Sequence, residues 1–279
     1  MKWRNRIIGG VIAIALAVGG YVANNELAAP PGFPDGFVYG VDSSYDQLTT
    51  FEAKALREEG VTLYVQALTA FPFSGLHQPA NRVISLRNAH EAGLGIAGYA
   101  LVGDLRYGGR ESVDFARAGV PDDLWDAMLF VAVDIETSGY SIYEVEQALL
   151  RLDDLGKPMV IYTNCATWYD KLGNPRRPTG ALLWHAYWDN NPDFDFEHRP
   201  SWCSDFGGFQ PGEVIGEQWS GGLYVRGQSV DRNIFRFEIA EPEPTPEPTP
   251  VPTVEPEPTV EPTATPEPVI TPPCCCCCN

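Results

Sequence analysis

Positive charge is what this chain is shortest of. It carries 19 Lys and Arg against 37 Asp and Glu, a formal net charge of −18. Part of that excess belongs to the C-terminal tail, but the segment before it is acidic too. Nucleic-acid binding needs a basic stripe that neutralises phosphates. None is present, so no nucleic-acid partner is expected, and tight electrostatic adhesion to anionic wall polymers is disfavoured for the same reason. Histidine is also scarce: there are four, none in HxH or HxxxH spacing, which leaves no zinc-ligand pattern. No G-x-S-x-G elbow presents a serine nucleophile, and no Gly-rich phosphate loop follows the first candidate strand. Of seven cysteines, five form the run Cys274–Cys278 before Asn279. Adjacent residues cannot all converge on one tetrahedral ion, so that run is no metal site. Neither a metal nor a cofactor is expected.

The two ends of the chain do not belong to a core. In residues 1–33, Lys2, Arg4 and Arg6 precede an uncharged run from Ile7 to Ala23. A positive segment followed by an apolar one directs export. The run is on the border between a signal peptide and a membrane anchor of about 17 residues, so a membrane partner through this segment and an extracytoplasmic location are expected. Residues 239–279 are dominated by Pro, Glu, Thr and Val before the cysteine run. Such a segment has little to bury and remains extended. At roughly 3 Å per residue it could reach on the order of 100 Å, the dimensions of a spacer.

Between them, residues 34–238 form one domain of roughly 200 residues, enough for a single core. Short apolar runs alternate there with helical patterns. Strands are expected at Phe37–Val41, Val61–Gln66, Gly95–Leu101, Leu129–Ile135, Pro158–Thr163, Ala181–Tyr187, Val214–Gln218 and near Gln228–Asp231. Helices are expected at Thr49–Glu59, Val83–Ala92, Ser112–Arg117 and Ser141–Leu155, the last with Ile142, Val145, Ala148, Leu149 and Leu152 in one apolar stripe. Strand–helix alternation implies a parallel sheet, and about eight strands imply a closed, TIM-like (β/α) barrel. The Gly207–Gly212 and Gly221–Gly222 stretches break the helical pattern in the last third, so an irregular barrel is expected, working as a monomer. The domain's own two cysteines, Cys165 and Cys203, fall after strand ends, and export favours a disulfide between them.

The run Phe130-Val-Ala-Val-Asp134-Ile-Glu136 reads as a buried strand that ends in two carboxylates. Side chains at i and i+2 on a strand share a face, so Asp134 and Glu136 project together. Crowding two anions raises the proton affinity of one, and a carboxyl pair with one protonated member is what glycoside hydrolysis needs. In a barrel the reacting groups come from the carboxyl ends of several strands. Asp42, Gln66, Tyr162, Asn164, Tyr187, Asp189, Gln218 and Asp231 stand at such ends. Carboxylates and amides suit sugar hydroxyls, and aromatic faces such as those of Tyr162, Trp184, Tyr187 and Trp219 suit sugar rings.

Taken in order, these residues resemble the glycoside hydrolase family 25 lysozymes. Asp42-Ser43-Ser44-Tyr45-Asp46-Gln47 resembles the family's opening D-x-S-x-x-Q, and Asp134-Ile135-Glu136 its D-x-E. Ile161-Tyr162-Thr163 and Leu183-Trp184-His185-Ala186-Tyr187 are similar to its I-Y-T and L-W-x-A-x-Y strands. Gln218-Trp219-Ser220 and Val230-Asp231-Arg232-Asn233-Ile234-Phe235 are similar to its closing motifs. Two positions depart from the pattern: Asp46 stands where an aromatic residue is usual, and Gln66 where the second strand usually ends in a Lys-bearing segment. The resemblance implies a peptidoglycan hydrolase that cleaves the β-1,4 bond between N-acetylmuramic acid and N-acetylglucosamine. It implies Glu136 as proton donor, Asp134 as its ionised partner, and substrate contacts from Asp42, Asp231, Tyr162, Trp184, Tyr187 and Gln218. A glycosidase acting on another polysaccharide and a non-catalytic sugar-binding barrel remain open.

Overall fold

In the computed structural model, residues 36–70, 78–102, 107–136, 139–190, 203, 205–225 and 228–236 are described. The N-terminal 1–33 segment lies outside them, as does the 239–279 tail. Eight strands close a barrel in chain order: β1 (Val38–Ser43), β2 (Leu63–Ala67), β3 (Gly95–Leu101), β4 (Met128–Asp134), β5 (Met159–Thr163), β6 (Leu182–Ala186), β7 (Val214–Val225) and β8 (Gln228–Phe235). The connecting helices are α1 (Thr50–Glu58), α2 (Arg82–Glu91), α3 (Gly109–Arg117), α4 (Asp122–Ala127), α5 (Ile142–Asp154) and α6 (Cys165–Leu172). The α/β barrel expected from sequence is the fold observed.

The helices begin where their capping chemistry dictates. Thr49 and Glu52 form a reciprocal capping box at the start of α1, as do Ser141 and Glu144 at α5, so each pair satisfies two otherwise orphaned donors. The stripe of Val145, Ala148, Leu149 and Leu152 is fully buried against the sheet. Two helices went unanticipated. Helix α4 has only 6 residues, too few to show a period. Helix α6 opens directly from β5, with Asn164 accepting a hydrogen bond from the Thr167 amide at 2.8 Å. Cys165 therefore stands in the first turn of a helix rather than in a loop. It is bridged to Cys203, with the Cα atoms 6.2 Å apart.

The sheet is not wholly parallel. β1 to β7 pair parallel in sequence, but β8 is antiparallel to both β7 and β1. Only two residues separate β7 from β8, and a parallel return needs a crossover of a dozen or more. The chain therefore reverses, and the final strand enters the barrel from the opposite end.

Alternation along the strands sends Val38, Leu63, Val65, Ala97, Phe130, Ala132, Val160, Trp184 and Phe235 into the barrel. Phe130, Trp184 and Phe235 meet with ring centroids 5.5–6.1 Å apart and plug it. Phe235 fits because the strand on each side of it presents a glycine. A Cβ on Gly216 would sit 2.3 Å from the Phe235 ring, and one on Gly40 2.7 Å from it. Substituting Gly216→Ala should lower unfolding stability by about 1–3 kcal/mol, the cost of overpacking a filled core, as read from the urea midpoint at an unchanged m-value. Reducing the bridge should cost roughly 3–4 kcal/mol more, given the 38-residue separation of its cysteines. Thiol titration of the unreduced protein without its terminal cysteines should find no reactive group.

Candidate active site

Above the aromatic plug, the carboxyl ends of β1 and β3 to β6, together with the middles of β7 and β8, bring polar side chains to one mouth. Asp42 on β1 pairs in register with Asp231 on β8. Asp231 reaches the mouth from within an antiparallel strand rather than from the end of a parallel one. Asp42 Oδ2 accepts hydrogen bonds from Asn233 Nδ2 at 2.7 Å and Gln218 Nε2 at 2.8 Å. The same Gln218 nitrogen lies 3.4 Å from Asp231 Oδ2. Gln218 Oε1 in turn accepts from the Tyr162 hydroxyl at 2.7 Å and the Trp188 indole at 2.5 Å. Trp184 donates its indole N–H to Asn233 Oδ1 at 2.9 Å, joining the plug to the polar layer. Tyr99 from β3 completes the wall, 6.5 Å from Tyr162 between ring centroids, with its hydroxyl 2.8 Å from Ser44 Oγ. Asp134 lies buried on the inward face of β4, its Oδ1 without a hydrogen-bond partner among the described residues. Two positions on, Glu136 is exposed at the rim.

Solved structures with this arrangement of elements include the bacterial lysozyme from Streptomyces coelicolor, with a TM-score of 0.55 at 18% identity over 74% of this chain and 98% of that one. The family GH25 lysozyme from Aspergillus fumigatus follows at 0.53 and 18%, over 71% and 93%. The Clostridium perfringens spore cortex lytic enzyme SleM gives 0.52 and 14%, over 76% and 68%. The fold is that of the GH25 lysozymes. At these identities the likeness is one of fold; no protein-family model matches the chain, and no curated protein matches its sequence.

Of the residues singled out from sequence, Asp42, Asp134, Glu136, Tyr162, Gln218 and Asp231 meet at this mouth, and Trp184 lies beneath them in the plug. Tyr187 does not. Its ring stacks on His185 at 5.7 Å, and His185 packs against Phe206 in the outer layer. The inward phase runs through Trp184 and Ala186, and it is Trp188, next in that phase, that reaches Gln218. Gln66 is likewise out of phase. Val65 and Ala67 face the barrel interior, while Gln66 accepts from the Tyr64 hydroxyl and donates to the Ser43 carbonyl. Trp219 belongs to the outer core beneath the Arg232 guanidinium. Sequence reasoning missed Trp188, Tyr99 and Asn233. Strict period-two counting from Trp184 would have found the first, and counting from Ala97 the second.

Burial dominates the electrostatics. It lifts the Asp42 carboxyl to about 8, with the neighbouring Asp231 adding to the rise and the bonds from Asn233 and Gln218 opposing it. Asp134 is held well above the usual carboxylate range, first by burial and then by Glu136 and Asp42. Glu136 is also raised, by desolvation first; the Tyr162 hydroxyl pulls it down and Asp231 pushes it up. The sequence reading put the proton on Glu136 and the charge on Asp134. In the open site burial raises both carboxyls, Asp134 being the more deeply buried of the two.

These shifts make the folded state bind protons that the unfolded chain has released. Stability must therefore fall as pH rises from about 4, where free carboxyls ionise, toward about 8, where Asp42 does. Asp134→Asn should remove part of that slope: its melting temperature should exceed the parent's at pH 8, and the gap should close near pH 4. Thermal scans across that range check it.

Proposed function

We propose that this domain is a glycoside hydrolase of the muramidase type, cleaving the β-1,4 bond between N-acetylmuramic acid and N-acetylglucosamine. One observation carries the reading: two carboxyls of raised proton affinity, Asp134 and Glu136, share a mouth walled by Tyr99, Tyr162 and Trp188. The GH25 lysozyme fold supports it.

Glu136 stands at the rim, so it is the member that reaches a bond lying across the mouth. Its proton passes to the glycosidic oxygen as the C1–O bond breaks, leaving Glu136 ionised and the leaving sugar with a free hydroxyl. Asp134 lies beneath. A glycan covering the mouth strips water from Glu136 and raises its proton affinity further. Positive charge developing at C1 favours an ionised Asp134 at the same moment, so the proton shared by the pair is drawn to Glu136. Water then adds its hydroxyl to C1 and returns a proton to Glu136. Asp42, kept in place by Asn233 and Gln218, and Asp231 with Tyr162, Trp184 and Gln218 order the sugar hydroxyls and the floor beneath them.

The substrate places the enzyme outside the cytoplasm. The basic and apolar segment at 1–33 supports export or anchoring, and the Cys165–Cys203 bridge fits an oxidising compartment. No helix among the described residues is long and apolar enough to cross a membrane; the apolar run from Ile7 to Ala23 lies outside them.

Glu136→Gln preserves shape but removes the proton, so turnover should fall by about 10²–10⁴ while glycan binding survives. Turbidity loss of a peptidoglycan suspension measures the first and co-sedimentation the second. Mass analysis of the reducing ends identifies the bond: N-acetylmuramic ends support the muramidase, N-acetylglucosamine ends a different glycosidase. A Glu136→Gln variant that digests at the parent rate ends the acid assignment.

A further inference from the structure

The β7–β8 hairpin continues past the point where β1 stops. The last β1–β8 pair is Asp42 with Asp231, whereas β7 and β8 stay paired out to Val225 and Gln228. Beyond Asp231, the edge of β8 that faced β1 pairs with no further β1 residue among the described residues. The next amide due on that edge belongs to Ser229, two residues on. Instead of a β1 carbonyl it finds a side chain: Asp46 Oδ2, in the loop after β1, accepts the Ser229 N–H at 3.0 Å across a separation of 183 residues. Asp46 is one of the two positions at which the sequence departs from the family pattern.

The segment held in this way forms part of the site. Asp231 belongs to it, and so does Gly221, where a Cβ would lie 3.2 Å from Asp231 Oδ1 and 3.4 Å from the Trp188 indole. The loop bearing Asp46 is itself fixed to the opposite wall through the Ser44–Tyr99 contact. We propose that Asp46 is a positioning residue that extends the β1–β8 ladder by one side-chain bond and holds the Asp231–Trp188 wall of the glycan cleft. The inference rests on the glycosidase reading for its kinetic consequence and on the structure alone for the tether.

Asp134 ends β4 and Glu136 follows it, across the barrel from β8, so loosening the hairpin should weaken glycan binding more than chemistry. Asp46→Ala should raise KM for soluble peptidoglycan fragments roughly five- to tenfold, about the net worth of one ordinary hydrogen bond, with kcat changed by less than about twofold. Hydrogen exchange of the Ser229 amide should quicken by about tenfold or more, since a local opening no longer breaks that bond. Asp46→Asn keeps an acceptor oxygen and should restore both values toward the parent. Ser229→Ala keeps the backbone N–H and should behave like the parent. Unchanged Ser229 exchange in Asp46→Ala, or an Asp46→Asn variant as impaired as Asp46→Ala, overturns the proposal. A parent enzyme that hydrolyses no glycan would defeat the glycosidase reading, while the exchange rates would still decide the tether.

Discussion

Gln218 has two amide hydrogens and two carbonyl lone pairs, and the mouth of the barrel uses all four. Its nitrogen reaches Asp42 and Asp231; its oxygen receives Tyr162 and Trp188. Those partners come from β1, β8, β5 and the segment after β6, so a single side chain joins the parallel staves to the strand that runs against them. Gln218 lies 1% exposed, where an unmade hydrogen bond costs more than a made one gains. The positions of the surrounding groups are therefore set together. Asn233 extends the same network, bonding both Asp42 and the Trp184 indole, and in this way links the polar layer to the apolar plug beneath it.

That arrangement permits an otherwise unfavourable concentration of acids. Burial raises Asp42, Asp134 and Glu136 alike, and neighbouring carboxylates add to each rise, Asp231 among them at Asp42 and Glu136. Burial disfavours their charged forms, and the cost is offset by the side-chain amides of Asn233 and Gln218 at Asp42, by the Glu136 backbone amide at Asp134 and by the Tyr162 hydroxyl at Glu136. The Asp134 oxygen that has no partner among the described residues marks where stability has been given up. Such local conflicts with good packing are characteristic of sites that handle substrate.

Much of this was legible beforehand, for a definable reason. A buried strand that ends D-x-E puts both acids on one face whatever the rest of the chain does, because the alternation of a strand is local. The capping boxes at Thr49 and Ser141 and the apolar stripe of α5 are likewise properties of a few neighbouring residues. Phase was harder. Gln66 and Tyr187 were read as lining the mouth because each stands at a strand end, yet each is one residue out of step with the inward face. A one-residue offset reverses every side chain, and near a strand end only the neighbouring strands show which parity is inward. Asp134 carries more burial than Glu136 for a similarly non-local reason: β3 and β5 flank it on either side.

The sequence by itself determined the alternation of strands and helices, the acid pair and the ordered set of polar residues at strand ends, since each depends on spacing within one segment. Tertiary structure alone decided that β8 runs backwards, that Trp188 rather than Tyr187 faces the cleft, that Gln218 gathers four partners, and that Asp46 completes a ladder with Ser229. Each of those facts joins residues distant along the chain, and no local spacing encodes which edge, face or amide will be left for another segment to meet.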